Sequence, residues 1–216
     1  MLVITVGEEE KNIPSQWEEM TIDYYAGIYR IINKYKRTEE QKENDKEKNL
    51  EKFFFTQETK MYKELFSYMT GMSQEDVKKV KMEDVESVIS SLDNIMKDYE
   101  PKGMTHFTFE GDVYYFPHDF IRTGTFGDYI EANQLEIGAR LMKNGRFDVL
   151  PEQMAIMCKM VDEEVDLDFL DEKAAKFRRL TMDIVWEFSF FLNKQTLKSI
   201  SVIQTFSEMA EQKVLQ

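Results

Sequence analysis

One cysteine, two histidines and four prolines in 216 residues leave little material for several kinds of chemistry. Cys158 has no second cysteine with which to close an internal disulfide, and it lies in an apolar helical run where a small buried thiol is ordinary. A reducing, cytosolic place of synthesis is expected. His106 and His118 flank one short stretch, and the chain contains no Glu-x-x-His pair of the kind that builds a di-metal helix site. No metal is expected. Asp162, Glu164, Asp166 and Asp168 alternate as in a calcium loop, but Leu167 stands where that loop needs Gly and Lys173 where it needs its bidentate Glu. No nucleophile elbow, P-loop or Cys beside a plausible base occurs, and Gly124-Thr125-Phe126-Gly127 lacks the glycine spacing that cradles a phosphate. Neither catalytic residues nor a cofactor are expected, and an enzyme of unidentified type is the least favoured reading.

Long apolar runs are absent too. No window approaches the roughly 18 apolar residues of a membrane span, and the first ten residues have no basic leader ahead of an apolar core. Neither secretion nor membrane insertion is expected. Positive charge is scarce: 28 Lys and Arg face 41 Asp and Glu, a net charge of -13. A phosphate-tracking surface needs clustered bases, so no direct nucleic-acid binding is expected, and the partners should be proteins, basic ones included.

What the chain does have is 14 Met, 16 Phe and 10 Tyr. Such residues fill soft cores, or alternatively form adaptable binding surfaces. Residues 104 to 130 interrupt the helical period with a period of two. Phe107 and Phe109 alternate with His106, Thr108 and Glu110, and the run Val113-Tyr114-Tyr115-Phe116 is β-branched and aromatic. With Glu110-Gly111-Asp112 as turn and Pro117 as stop, this predicts a β-hairpin. Leu2-Val3-Ile4-Thr5-Val6 predicts one more strand, expected to join the hairpin in a three-stranded sheet.

Helices are predicted around this stretch. Ser15 and Glu18 have capping-box spacing ahead of a short helix carrying Trp17. Thr21 starts a second helix, whose apolar set is Ile22, Tyr25, Ile28, Tyr29 and Ile32. Residues 36–49 are charged and lack any aliphatic residue, which predicts a solvated helix extension or a mobile linker. The pattern resumes over Phe53, Phe54, Tyr62, Leu65, Phe66 and Met69, with Gly71 as C′ residue. Ser73 and Asp76 restart a short helix, and Val85 to Met96 form a longer one that breaks at Tyr99-Glu100-Pro101. Beyond the hairpin, Thr125 caps a helix ending at Asn144-Gly145. Asp148 or Leu150-Pro151 opens another, with Met154, Ile156, Met157, Met160 and Val161 as its apolar set. Asp168 to Arg179 runs from acidic to basic as the helix dipole favours. A last helix begins near Thr181, includes Trp186 as core, and at about 30 residues exceeds what a compact domain usually buries.

The predicted architecture is a single α+β domain over 1–216, mainly α with a small antiparallel sheet. Helical halves 15–99 and 125–216 are joined by the hairpin at 105–116. Candidate partner-binding residues are Trp17, which could instead anchor the core, and Leu197, Ile200, Ile203, Phe206 and Met209 on the far part of the last helix.

Four stretches carry a family resemblance. They are Ile13-Pro14-Ser15-Gln16-Trp17-Glu18-Glu19-Met20-Thr21, Phe107 to Tyr114, Thr125-Phe126-Gly127-Asp128-Tyr129-Ile130-Glu131, and Leu150 to Met157. In this order they resemble short proteins from the structural modules of tailed bacteriophages, of tail-assembly-chaperone type. The resemblance implies a non-catalytic role in virion or tail assembly, with phage structural proteins as partners and the host bacterial cytoplasm as location. It carries over no catalytic residue. A permanent virion subunit, such as a connector or tail component in a symmetric homo-oligomer, is the alternative.

Overall fold

The computed structural model describes residues 1–6, 9–36, 51–97, 99–117, 146–161, 163 and 169–191. The fold is α+β: helices accompanied, among the described residues, by two separate antiparallel two-stranded sheets. The chain divides into two compact units, Met1–Asp98 and Tyr99–Gln216. That division falls at the Tyr99-Glu100-Pro101 break, so the hairpin belongs to the second unit.

In the first unit, strand β1 (Leu2–Val6) pairs with β2 (Glu9–Ile13), matching Leu2 with Ile13 and Ile4 with Lys11. This corrects the expected pairing of β1 with the central hairpin. Four of the five residues of β2 are polar, which conceals a strand from composition, yet only Ile13 must be apolar to complete the buried face that Ile4 begins. After β2, the expected capping box takes a different partner: Glu19, not Glu18, accepts from the Ser15 amide at 2.9 Å and the Ser15 hydroxyl at 3.1 Å. The intervening element is a single 3₁₀ turn (Trp17–Glu19), which holds Trp17 edge-on to Tyr25 at 5.5 Å between ring centroids.

Helix α1 (Ile22–Tyr35) starts where its cap predicts, the Thr21 hydroxyl accepting from the Tyr24 amide at 3.3 Å. Its buried face runs through Ile22, Tyr25, Ile28 and Ile31, while Ile32, expected there, is half-buried. Helix α2 (Glu51–Thr70) packs against α1, buries Leu65, Phe66 and Met69, and ends at Gly71, whose φ of +70° is that of a C′ glycine. The one-turn helix α3 (Gln74–Val77) is capped by Ser73. Helix α4 (Met82–Ile95) buries Val88, Ile89, Leu92 and Ile95. Its spacing of 1, 3 and 3 is one apolar stripe of a surface helix.

The second unit contains the hairpin of β3 (His106–Phe109) and β4 (Asp112–Tyr115), in register His106 with Tyr115 and Phe107 with Tyr114. Glu110 and Gly111 both have positive φ, 52° and 92°, which is the type I′ geometry that matches strand twist in a two-residue loop. Alternation puts Phe107, Tyr114 and the following Phe116 inward. Phe107 and Tyr114 stack at 5.5 Å, and Phe177 meets Tyr114 edge-on at 4.9 Å.

Helix α5 (Arg146–Met157) begins earlier than expected, so Pro151 is its sixth residue and removes one helical hydrogen bond. Buried Phe147, Leu150, Met154 and Met157, spaced 3, 4 and 3 apart, hold the helix through that gap. The helix stops at Met157, which leaves Met160 and Val161, expected on its apolar face, exposed. Helix α6 (Leu170–Phe177) carries Asp171 and Glu172 in its first turn and Lys176 in its last. Helix α7 covers residues 182–191 and buries Val185 and Phe188, with Trp186 half-buried.

Candidate interaction site

Where the tip of the β3–β4 hairpin approaches α6, a cleft of about 550 Å³ opens in the second unit. Three bases of α6 and the turn after it, Lys173, Lys176 and Arg179, occur at three-residue spacing and so line one wall. Ala155 and Ala175 keep space open in the lining, and Met160 and Phe169 stand exposed among its residues.

Each base is paired within the unit. Lys173 Nζ donates to Glu163 Oε1 at 2.6 Å and to the Cys158 carbonyl at 2.8 Å, and lies 5.3 Å from the centre of the Tyr114 ring. Lys176 Nζ donates to Asp112 Oδ2 at 2.8 Å and to the Tyr114 hydroxyl at 3.2 Å. Arg179 Nη2 reaches Glu110 Oε1 at 2.6 Å. The hairpin turn is thus strapped to α6 by acids on both sides of Gly111. The hydrogen bond from Lys176 holds the Asp112 carboxyl below its usual range, and the same bond raises Lys176 despite its partial burial. Burial, more than any charge, raises the Tyr114 phenol.

The arrangement is a wall of compensated charge with apolar groups at its edge. Cys158, the nearest thiol, is fully buried and raised by desolvation, so it stays protonated at neutral pH. Among the described residues no three His, Cys, Asp or Glu side chains are grouped to hold a metal ion. His106 is exposed, its ring 5.6 Å from that of Tyr115. His118, Asp162, Glu164, Asp166 and Asp168 lie outside the described residues.

Of the candidate partner-binding residues, Trp17 is buried at 9% exposure and anchors its 3₁₀ turn against Tyr25. Leu197, Ile200, Ile203, Phe206 and Met209 lie outside the described residues, as do 37–50 and the helix expected after Thr125. The cleft residues were not singled out from sequence. Lys176 and Arg179 read there only as complements of the helix dipole, and Lys173 as that and as a mismatch to a calcium loop, although bases at a helical spacing of three, with acids in the hairpin turn, were the available signal. No protein-family model, curated protein sequence or solved structure matches this chain significantly.

Proposed function

We propose that the chain is a non-catalytic phage protein that acts in virion or tail assembly through protein–protein contacts, holding an aggregation-prone structural protein in the manner of a tail-assembly chaperone. The host bacterial cytoplasm is its place of work. The resemblance of the Ile13-to-Thr21, Phe107-to-Tyr114 and Leu150-to-Met157 stretches supports the phage context. One observation carries the mode of action: Phe169, 63% exposed, and Met160 both line a charge-lined cleft, where an apolar side chain of a partner would cover the two together. Leu197, Ile200, Ile203, Phe206 and Met209 belong to the same proposal as a second docking element.

The test is co-expression with the structural proteins encoded in the same phage module. The full chain should raise the soluble fraction of one of them, and a chain ending at Lys194 should do so less well. Equal solubility with and without the full chain would defeat the reading.

A further inference from the structure

The β3–β4 hairpin has one edge closed and one edge open. On the β4 side the Tyr115 amide donates to the Lys159 carbonyl at 2.8 Å, so the segment after α5 covers that edge. On the β3 side the Phe116 amide, which donates to the Thr105 carbonyl at 3.0 Å, fixes which residues face the neighbouring strand. Backbone direction alternates along an antiparallel strand, so Thr105, Phe107 and Phe109 turn their backbone groups toward β4 while His106 and Thr108 turn theirs away. Both outward residues are exposed, and among the described residues their amides and carbonyls take no hydrogen bond. The usual guards of such an edge are missing as well: β3 contains no Pro, Lys or acid, and no bulge interrupts its register.

We propose that β3 pairs with β3 of a second copy of this chain, antiparallel about a two-fold axis beside Phe107, so that His106 of each copy exchanges both backbone hydrogen bonds with Thr108 of the other. Two features of the edge favour a copy over an unlike strand. The outward residues are two positions apart, and a two-fold between them satisfies both amides and both carbonyls on each chain with none left over. Charge points the same way. A net charge of -13 opposes contact between copies over most of the surface, whereas Met104 to Phe109 contain no acid and the adjoining Glu110 is bonded to Arg179 at 2.6 Å. The outer faces also continue one another. Thr108 lies beside exposed Val113 and His106 beside exposed Tyr115 within each hairpin, and the pairing sets Thr108 of one copy next to His106 of the other in the same row. The joined edge is short, so the association is a weak one. It does not depend on the proposed assembly role.

Sedimentation velocity on the full chain tests the pairing. The parent should pass from monomer to dimer between about 1 and 300 µM. Thr108→Pro removes an amide that bonds to nothing in the monomer and puts a ring in the path of the second strand. It should weaken the dimer by about tenfold or more with thermal stability nearly unchanged. His106→Glu with Thr108→Glu sets like charges opposite each other across the axis and should weaken it as much, as should His106→Lys with Thr108→Lys. An equimolar mixture of these two double variants should associate again, at parent strength or better. A parent that stays monomeric throughout, including one whose edge takes only an unlike strand, would overturn the proposal. So would a dimer unmoved by these changes, or no association on mixing. Should Thr108→Pro fail to fold, the charge variants decide alone.

Discussion

A Cβ placed on Gly27 would lie 2.1 Å from the hydroxyl oxygen of Tyr68. Helix α2 thus lays a tyrosine across α1 at the one position of that helix with no side chain. The same hydroxyl donates to the Tyr24 carbonyl at 3.2 Å, so the contact is both a close approach and a hydrogen bond.

Gly27→Ala should destabilise the first unit, although alanine is the better helix former by about 1 kcal/mol. Overpacking costs about 1–3 kcal/mol; the part-exposed Tyr68 ring can swing into solvent to hold that near the low end, but it then gives up its hydrogen bond to the Tyr24 carbonyl, about 1 kcal/mol more. The net loss should be about 1 kcal/mol. Tyr68→Ala should remove the penalty, leaving Gly27→Ala stabilising in that background. A double-mutant cycle from urea denaturation measures this; strict additivity would contradict it.

Gly111→Val should lower the stability of the second unit by about 2 kcal/mol or more, since a β-branched residue is poorly accommodated at positive φ. Nothing lies within 4 Å of its missing Cβ, so backbone strain and not a clash sets the cost. Gly111→Asn, which tolerates the left-handed region, should recover much of the loss. Thermal unfolding compares the two variants.

Much of this fold was legible where local chemistry decides it. The Thr21 and Ser73 caps, the Gly71 stop and the Glu110-Gly111 turn were each marked by a residue type with one favoured use. The misses share another cause. Strand β2 is held by its neighbour and by a single buried Ile13, so its own composition carries no strand signal. Pro151 read as a helix start because proline favours the first turn, whereas buried Phe147 and Leu150 extend the helix upstream of it. The cleft joins Glu110 and Asp112 to Lys176 and Arg179 across more than sixty residues, a separation that no periodicity reports.

The Asp112–Lys176 pair sets a pH dependence with a definite sign. Asp112 has its carboxyl lowered in the folded state, so its stabilisation is present above the unfolded value of 3.8 and is lost as pH falls through the lower folded value. Lys176 is raised, so its share is present below 10.5 and is lost as pH rises through the higher folded value. Asp112→Asn should therefore lower the second unit's urea midpoint slightly at neutral pH and flatten its fall below about pH 4, where variant and parent converge. An identical acid limb in variant and parent would contradict the assignment.

Met160→Asp combined with Phe169→Asp should leave thermal stability nearly unchanged, because both side chains are exposed. The same variant should lose the solubilising effect on the partner. Retained activity at unchanged stability would remove the cleft from the docking surface, whatever the remainder of the chain does.

On the proposed function, this chain serves assembly and leaves the finished particle. Quantitative mass spectrometry of particles purified from cells that produce the phage and this chain tests it most directly. The particles should contain structural proteins of capsid and tail without this chain, which should be found instead in the soluble fraction of the infected cells. Its presence in the particles at a fixed stoichiometry with the tail or connector proteins would contradict the claim and make it a permanent component of the virion.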